Sequence, residues 1–282
     1  MKSIWIYSTA DGAHSASRPL PLPFRRMERP IDPEIFRRQA RGEDVGRPRL
    51  TPSSGLGAQH LAAGHDTGWQ PASARNLCMV VSGRVEIETG DGVHHVLQRG
   101  DAFLEDDPSG RGHRLRCPSD CRLLRLGVGA DWNPSGAPLP AQDNPQDGMP
   151  RPTRLRRMYK AADGKAYFRE FDTLFPAVGA AATAARPVRG FHFVIFPDGY
   201  FIDWHPEGCN NFVWITAGEL ALEVSGDRTV ERFGVGDVCL AEDRTGEGHI
   251  DRAHGLVRMV LVELEDEQLW PVAGAKSAGT SA

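Results

Sequence analysis

The sequence predicts an all-β protein made of two tandem β-barrel units of jelly-roll type. Three observations predict it: an internal repeat, short alternating segments closed by turn residues, and little helical periodicity. Laying Trp69 on Trp204 also lays Pro71 on Pro206, Asn76 on Asn211, Gly83 on Gly218 and Glu88 on Glu223. After a one-residue slip the series continues with Gly100 on Gly236, Asp101 on Asp237, Leu104 on Leu240 and Asp107 on Asp243. Gly110, Gly112 and His113 then fall on Gly246, Gly248 and His249, and Arg116 falls on Arg252. Matches this dense, in one order, mark a duplication, and a repeat fixes architecture before any single element does.

Taken in chain order, each unit opens on a tyrosine followed by Ala-Asp-Gly: Tyr7 with Ala10–Gly12, and Tyr159 with Ala162–Gly164. The first unit, residues 1–130, carries extra Pro- and Arg-rich material at about 18–55, in which IDPEIFRRQARGE has the makings of a short helix. Strands follow. NLCMVVSGRVEIETGDG has an apolar run, a glycine, then period-two alternation of Val85 and Ile87 with Glu86 and Glu88, closed by a Gly-Asp-Gly turn. QRGDAFLEDD and its counterpart GVGDVCLAED read as a Gly-Asp turn, an apolar strand and an acidic end. Residues 131–152 are rich in Pro, Gly, Asn and Asp and read as a linker. The second unit spans 153–270, and 271–282 read as a disordered tail.

Composition narrows the function classes. A chain of 282 residues with 40% hydrophobic and 25% charged residues has the material for two globular cores. Its net charge of -4 gives no electrostatic footprint for nucleic acid or an anionic membrane. The N-terminal MKSIWIYSTADG lacks the apolar core of a signal peptide, and the five cysteines lack zinc-ribbon spacing, so a cytoplasmic protein with free thiols is expected.

Residues 204–219, WHPEGCNNFVWITAGE, and 236–249, GDVCLAEDRTGEGH, resemble the two motifs of the cupin superfamily. The resemblance covers about 157–265 closely and 4–128 more loosely, and its nearest form is a tandem bicupin like those of small bacterial cupins. It implies a fold above all, because cupins host oxygenases, isomerases, cyclases and binding proteins alike. Metal-binding cupins use three histidines and a carboxylate. Here His205 stands at the first histidine, Glu207 at the second, Asn211 at the carboxylate, and His249 closes the second motif. The resemblance therefore implies a metal set of His205, Glu207 and His249 for a divalent ion such as Fe, Zn, Ni or Mn. The first unit has Gln70 and Ala72 at two of these places and is expected to be a degenerate copy.

Around that set, Glu242 and Asn211 are the candidate catalytic residues. Glu242 belongs to an acidic pair, Glu242-Asp243, of which only one member can face the interior of a strand. Trp204, Trp214, Tyr200 and His192 are the candidate substrate-binding residues. The primary expectation is a metal-dependent small-molecule enzyme of oxygenase, isomerase or cyclase type, sited in the second unit. The alternative is a metal-free cupin, either a binding module or an acid/base isomerase or cyclase. Pairing as a homodimer, and an N-terminal strand shared between the units, are expectations of the resemblance.

Overall fold

The computed structural model describes residues 1–46, 49–136 and 151–265. The first half holds β1 (Ser3–Ser8), β2 (Ser15–Pro19), β3 (Arg25–Arg26), α1 (Pro33–Ala40), β4 (Ser53–Leu61) and β5 (His65–Gln70). It continues with β6 (Asn76–Ser82), β7 (Arg84–Glu88), β8 (His94–Gln98), β9 (Ala102–Asp106), β10 (His113–Cys117) and β11 (Cys121–Val128). The second half holds β12 (Leu155–Lys160), β13 (Ala166–Glu170), β14 (Val188–Phe196) and β15 (Phe201–His205). After these come β16 (Asn211–Val224), β17 (Val230–Phe233), β18 (Val238–Glu242) and β19 (His249–Leu264). The chain is all-β, and the second half repeats the strand order of the first, apart from β3 and α1. The expected tail, and all of the linker but its ends, lie outside the described residues.

In the first half a six-stranded sheet, β2-β1-β9-β6-β11-β4, faces a four-stranded one, β5-β10-β7-β8. In the second half β16 does the work of β6 and β7 together, and β19 that of β10 and β11. The two layers therefore become one nine-stranded sheet folded over on itself, with β15 and β17 pairing at its folded end. No sheet closes into a barrel among the described residues. At the bend of β16 the backbone takes a positive φ of 71° at Gly218, and a Cβ there would lie 2.5 Å from the Leu256 carbonyl oxygen. Glycine is the residue that turns this corner.

Why the central strands are apolar on both faces is now clear. Cys78 and Val80 of β6 point into the first half's own core, whereas Leu77, Met79 and Val81 point out of it. In β16, Val213 and Ile215 point into the second half while Phe212 and Trp214 point out. The outward faces of the two large sheets meet in a shared core that also takes Trp5, Leu104, Phe191 and Val260. A strand buried on both sides reads as a continuous apolar run.

The insertion does not stay with its own half. Leu20 and Leu22 enter the shared core. β3 then runs parallel to β14, and α1 packs on β15. The shared N-terminal strand expected from sequence is corrected by this arrangement. β1 pairs with β2 and β9 in its own half, and the crossing element is β3. The helix begins as the sequence suggests: Asp32 caps it by accepting from the Glu34 amide at 2.9 Å, with Pro33 in the first turn. Among the described residues no helix is long and apolar enough to cross a membrane.

Candidate functional site

A cavity of about 660 Å³ lies in the second half, floored by its sheet and roofed by the insertion. His205 and His249 are cross-strand partners between β15 and β19, with ring centroids 4.4 Å apart. Asp251 follows His249 by two residues on the same strand and so shares its face. The three residues are buried, and one ligand atom of each lies within 4.8 Å of the others. Asp251 Oδ1 comes within 3.3 Å of His249 Nε2 yet makes no hydrogen bond.

Both imidazoles are held from behind. His205 Nδ1 donates to the Asp203 carbonyl at 2.8 Å, and His249 Nδ1 donates to Asp243 Oδ2 at 2.8 Å. Each ring thus turns its Nε2 toward the cavity, the orientation that a backing acceptor gives to a metal-binding histidine. Gly248 makes this closeness attainable. Its φ is 76°, and a Cβ on it would run into the His205 carbonyl oxygen.

Burial pushes the His205 pKa down to about 4, with the charge on His249 adding to the effect, so the ring is neutral. Burial also works against a charged His249, but Asp243 and Asp251 outweigh it and hold that pKa well above the ordinary value. Asp251 is itself lowered: burial raises it, and the adjacent His249 more than offsets this. Burial drives Glu207 up to about 8, so its carboxyl keeps a proton at neutral pH. Asn211 Nδ2 donates to Glu207 Oε2 at 2.7 Å, while Oε1 sits 3.9 Å from His249 Nε2.

Of the sequence-derived candidates, His205, Glu207, His249, Asn211 and His192 all line this cavity. The carboxylate that completes the compact trio is Asp251, and Glu207 stands beside it paired with Asn211. Four other candidates lie away from the cavity. Glu242 follows the cavity-lining Ala241, so it faces the other side of β18 and pairs with Arg157. It is the other acidic residue, Asp243, that reaches the site. Trp214 lies between Val213 and Ile215 and fills the shared core at 0% exposure. Trp204 alternates with His205 and carries the Arg228 guanidinium over its ring at 4.5 Å. Tyr200 packs into the second core, stacked on Phe196 at 4.2 Å, and its hydroxyl donates to the Arg29 carbonyl.

Two features of the site escaped the sequence reading. His249-Ile250-Asp251 places two side chains able to ligate a metal on one strand face, a signal that lies just past the end of the second motif. The roof was hidden altogether: Phe36 of α1 lies against His205 with centroids 4.3 Å apart, and Arg37 donates to the Trp204 carbonyl at 2.7 Å.

The first half differs at the corresponding positions. Gln70 and Leu115 occupy the places of His205 and Asp251, and Ala72 that of Glu207. Arg125 and Glu105 form an ion pair at the places where the second half has Leu261 and Ala241. His113 keeps its bond to Asp107 at 2.9 Å, so this histidine–aspartate pair recurs where Gln70, Ala72 and Leu115 replace the other residues.

No protein-family model matches the chain, and no curated protein matches it in sequence. Among solved structures it is similar to a cupin 2 conserved barrel domain protein from Leptotrichia buccalis. That match has 11% identity over 79% of this chain and 98% of the other, with a TM-score of 0.38. A protein of unknown function from Pseudomonas syringae pv. tomato matches at 13% identity over 93% and 99%, with a TM-score of 0.36. Oxalate decarboxylase from Bacillus subtilis, a protein with Mn(II) centres, matches at 15% identity over 76% and 70%, with a TM-score of 0.29. The solved structures to which this chain is similar thus include cupin-type proteins.

Proposed function

We propose that the chain is a metal-dependent enzyme acting on a small molecule held in the second-half cavity, with His205, His249 and Asp251 as metal ligands. The observation that carries this reading is the buried trio itself: two Nε2 atoms and a carboxylate oxygen without a hydrogen bond converge on an apolar cavity. Two imidazoles and a carboxylate suit Fe, Mn, Ni or Zn. A bound ion would supply Lewis acidity toward an oxygen of the substrate. The chain's own groups do the rest. Glu207, protonated at neutral pH and oriented by Asn211, gives or takes a proton at Oε1. Phe36 and its neighbours on α1 keep water from the reacting end. Acid–base chemistry of the isomerase or cyclase kind is the simplest use of these parts, and an iron-bound form would extend it to oxidation.

Elemental analysis of protein purified without chelator tests the reading. Near-stoichiometric metal in the wild type and in Gln70→Ala is expected, with loss in His205→Ala. Equal metal in all three proteins would remove the site assignment. One observation favours a metal-free binding module instead: His249 is already balanced by Asp243 and Asp251. No uptake after reconstitution with iron, zinc, nickel and manganese would decide for that second reading.

A further inference from the structure

The cavity's charges come from two sources. Its carboxylates, Glu207, Asp251 and Glu263, belong to the second half, whereas its two arginines, Arg25 and Arg49, both come from the first-half insertion. Register explains why Arg25 faces the cavity. It sits beside Val194, which lines the cavity, whereas Arg26 sits beside Ile195, which does not. Arg25 is also close enough to His192 for its charge to add to burial in lowering that imidazole to about 4. Among the described residues neither Arg25 nor Arg49 meets a carboxylate. Both are exposed, so they stand at the rim.

Below the rim the walls are apolar. Met27, Ile31, Ile35 and Phe36 line the insertion side, and Val194, Val213, Met259 and Leu261 line part of the sheet side. A guanidinium stays charged at any physiological pH, and its planar donors match a carboxylate. Two of them above an apolar chamber select a molecule with an apolar body and an anionic head.

We infer that the cavity's ligand is an apolar organic carboxylate, its head held by Arg25 and Arg49 at the rim and its body lying among the apolar walls. This inference rests on the reading of the cavity as the working site and adds the class of molecule. It assigns the first-half insertion the task of choosing the ligand that the second half handles.

Calorimetric titration of metal-stripped protein with decanoate, decanol and decyltrimethylammonium tests it. Decanoate is expected to bind at least about tenfold tighter than decanol, and decyltrimethylammonium more weakly than either. In an Arg25→Gln/Arg49→Gln double variant the preference for decanoate should vanish while decanol binding is unchanged. Decanol binding as tightly as decanoate, a preference that survives in the double variant, or no binding of any probe would each overturn the inference. Because metal is stripped first, failure here leaves the metal reading standing, and an empty elemental analysis leaves the carboxylate preference standing.

Discussion

At the scale of single residues, the site is a set of buried titratable groups whose protonation can be read from neighbours. Glu207 keeps its proton up to about pH 8 in the folded chain, whereas an ordinary glutamate loses it near 4.5. Across that window the native state binds more protons than the unfolded state, so stability falls as pH rises. His205 and His192, both lowered to about 4, act the other way, but only below an ordinary histidine's 6.5. Raised His249 adds stability that is fully present below 6.5 and is lost as pH climbs through its folded value. Metal-stripped protein is therefore expected to weaken between pH 6.5 and 8. Glu207 accounts for on the order of 2 kcal/mol of that loss. Urea unfolding at the two pH values checks it: Glu207→Gln should remove about that much of the decline, and an unchanged decline would mean that Glu207 is ionised in the fold.

The same groups show how far the residues were legible. His205 and His249 were visible because a motif fixes their spacing. Asp251 was not, because it lies beyond the motif and its counterpart in the first half is Leu115, so neither comparison marks it. Strand alternation correctly allowed only one of Glu242 and Asp243 to look inward. Which one does depends on register, and β18 turns Ala241 rather than Glu242 to the cavity.

At the scale of elements, two devices make the site. One is the glycine before each motif-ending histidine. Gly112 and Gly248 both have positive φ, and a Cβ on either would strike the backbone of the facing strand, at Gln70 and His205 respectively. Gly112→Ala and Gly248→Ala should therefore destabilise alike, by about 1–3 kcal/mol. Only Gly248→Ala should also weaken metal binding, because only there does the displaced strand carry a proposed ligand, His205. Paired melting and metal-binding measurements separate the two effects. Metal affinity falling equally in both variants would show that this strand pairing acts through general loosening.

The other device is α1. Its helical potential was readable in IDPEIFRRQARGE, with Asp and Pro at its start. Its position over the second half was not, because nothing local in that segment says which sheet its Phe36 will meet.

At the scale of the whole molecule, duplication was the most legible feature and its consequences the least. Each half has a core of its own, and a third core between them takes Trp5, Phe191 and Trp214. Arg99 of the first half and Arg151 both pair with Asp237, whose side chain is fully buried. The halves are thus tied by packing, by a charged cluster and by the insertion. Arg125 and Glu105 form an ion pair in the first half at the places of Leu261 and Ala241, which line the second half's cavity. Among the described residues the trio that could hold a metal lies in the second half, in line with the departures at Gln70 and Ala72 that the sequence shows in the first.

That asymmetry is tested most directly by titrating metal-stripped protein with Co(II) at pH 7.5 and following the visible absorption of the bound ion. One Co(II) per chain is expected, bound at least about tenfold more weakly by Asp251→Ala. Two ions per chain, or one bound equally well without Asp251, would contradict it.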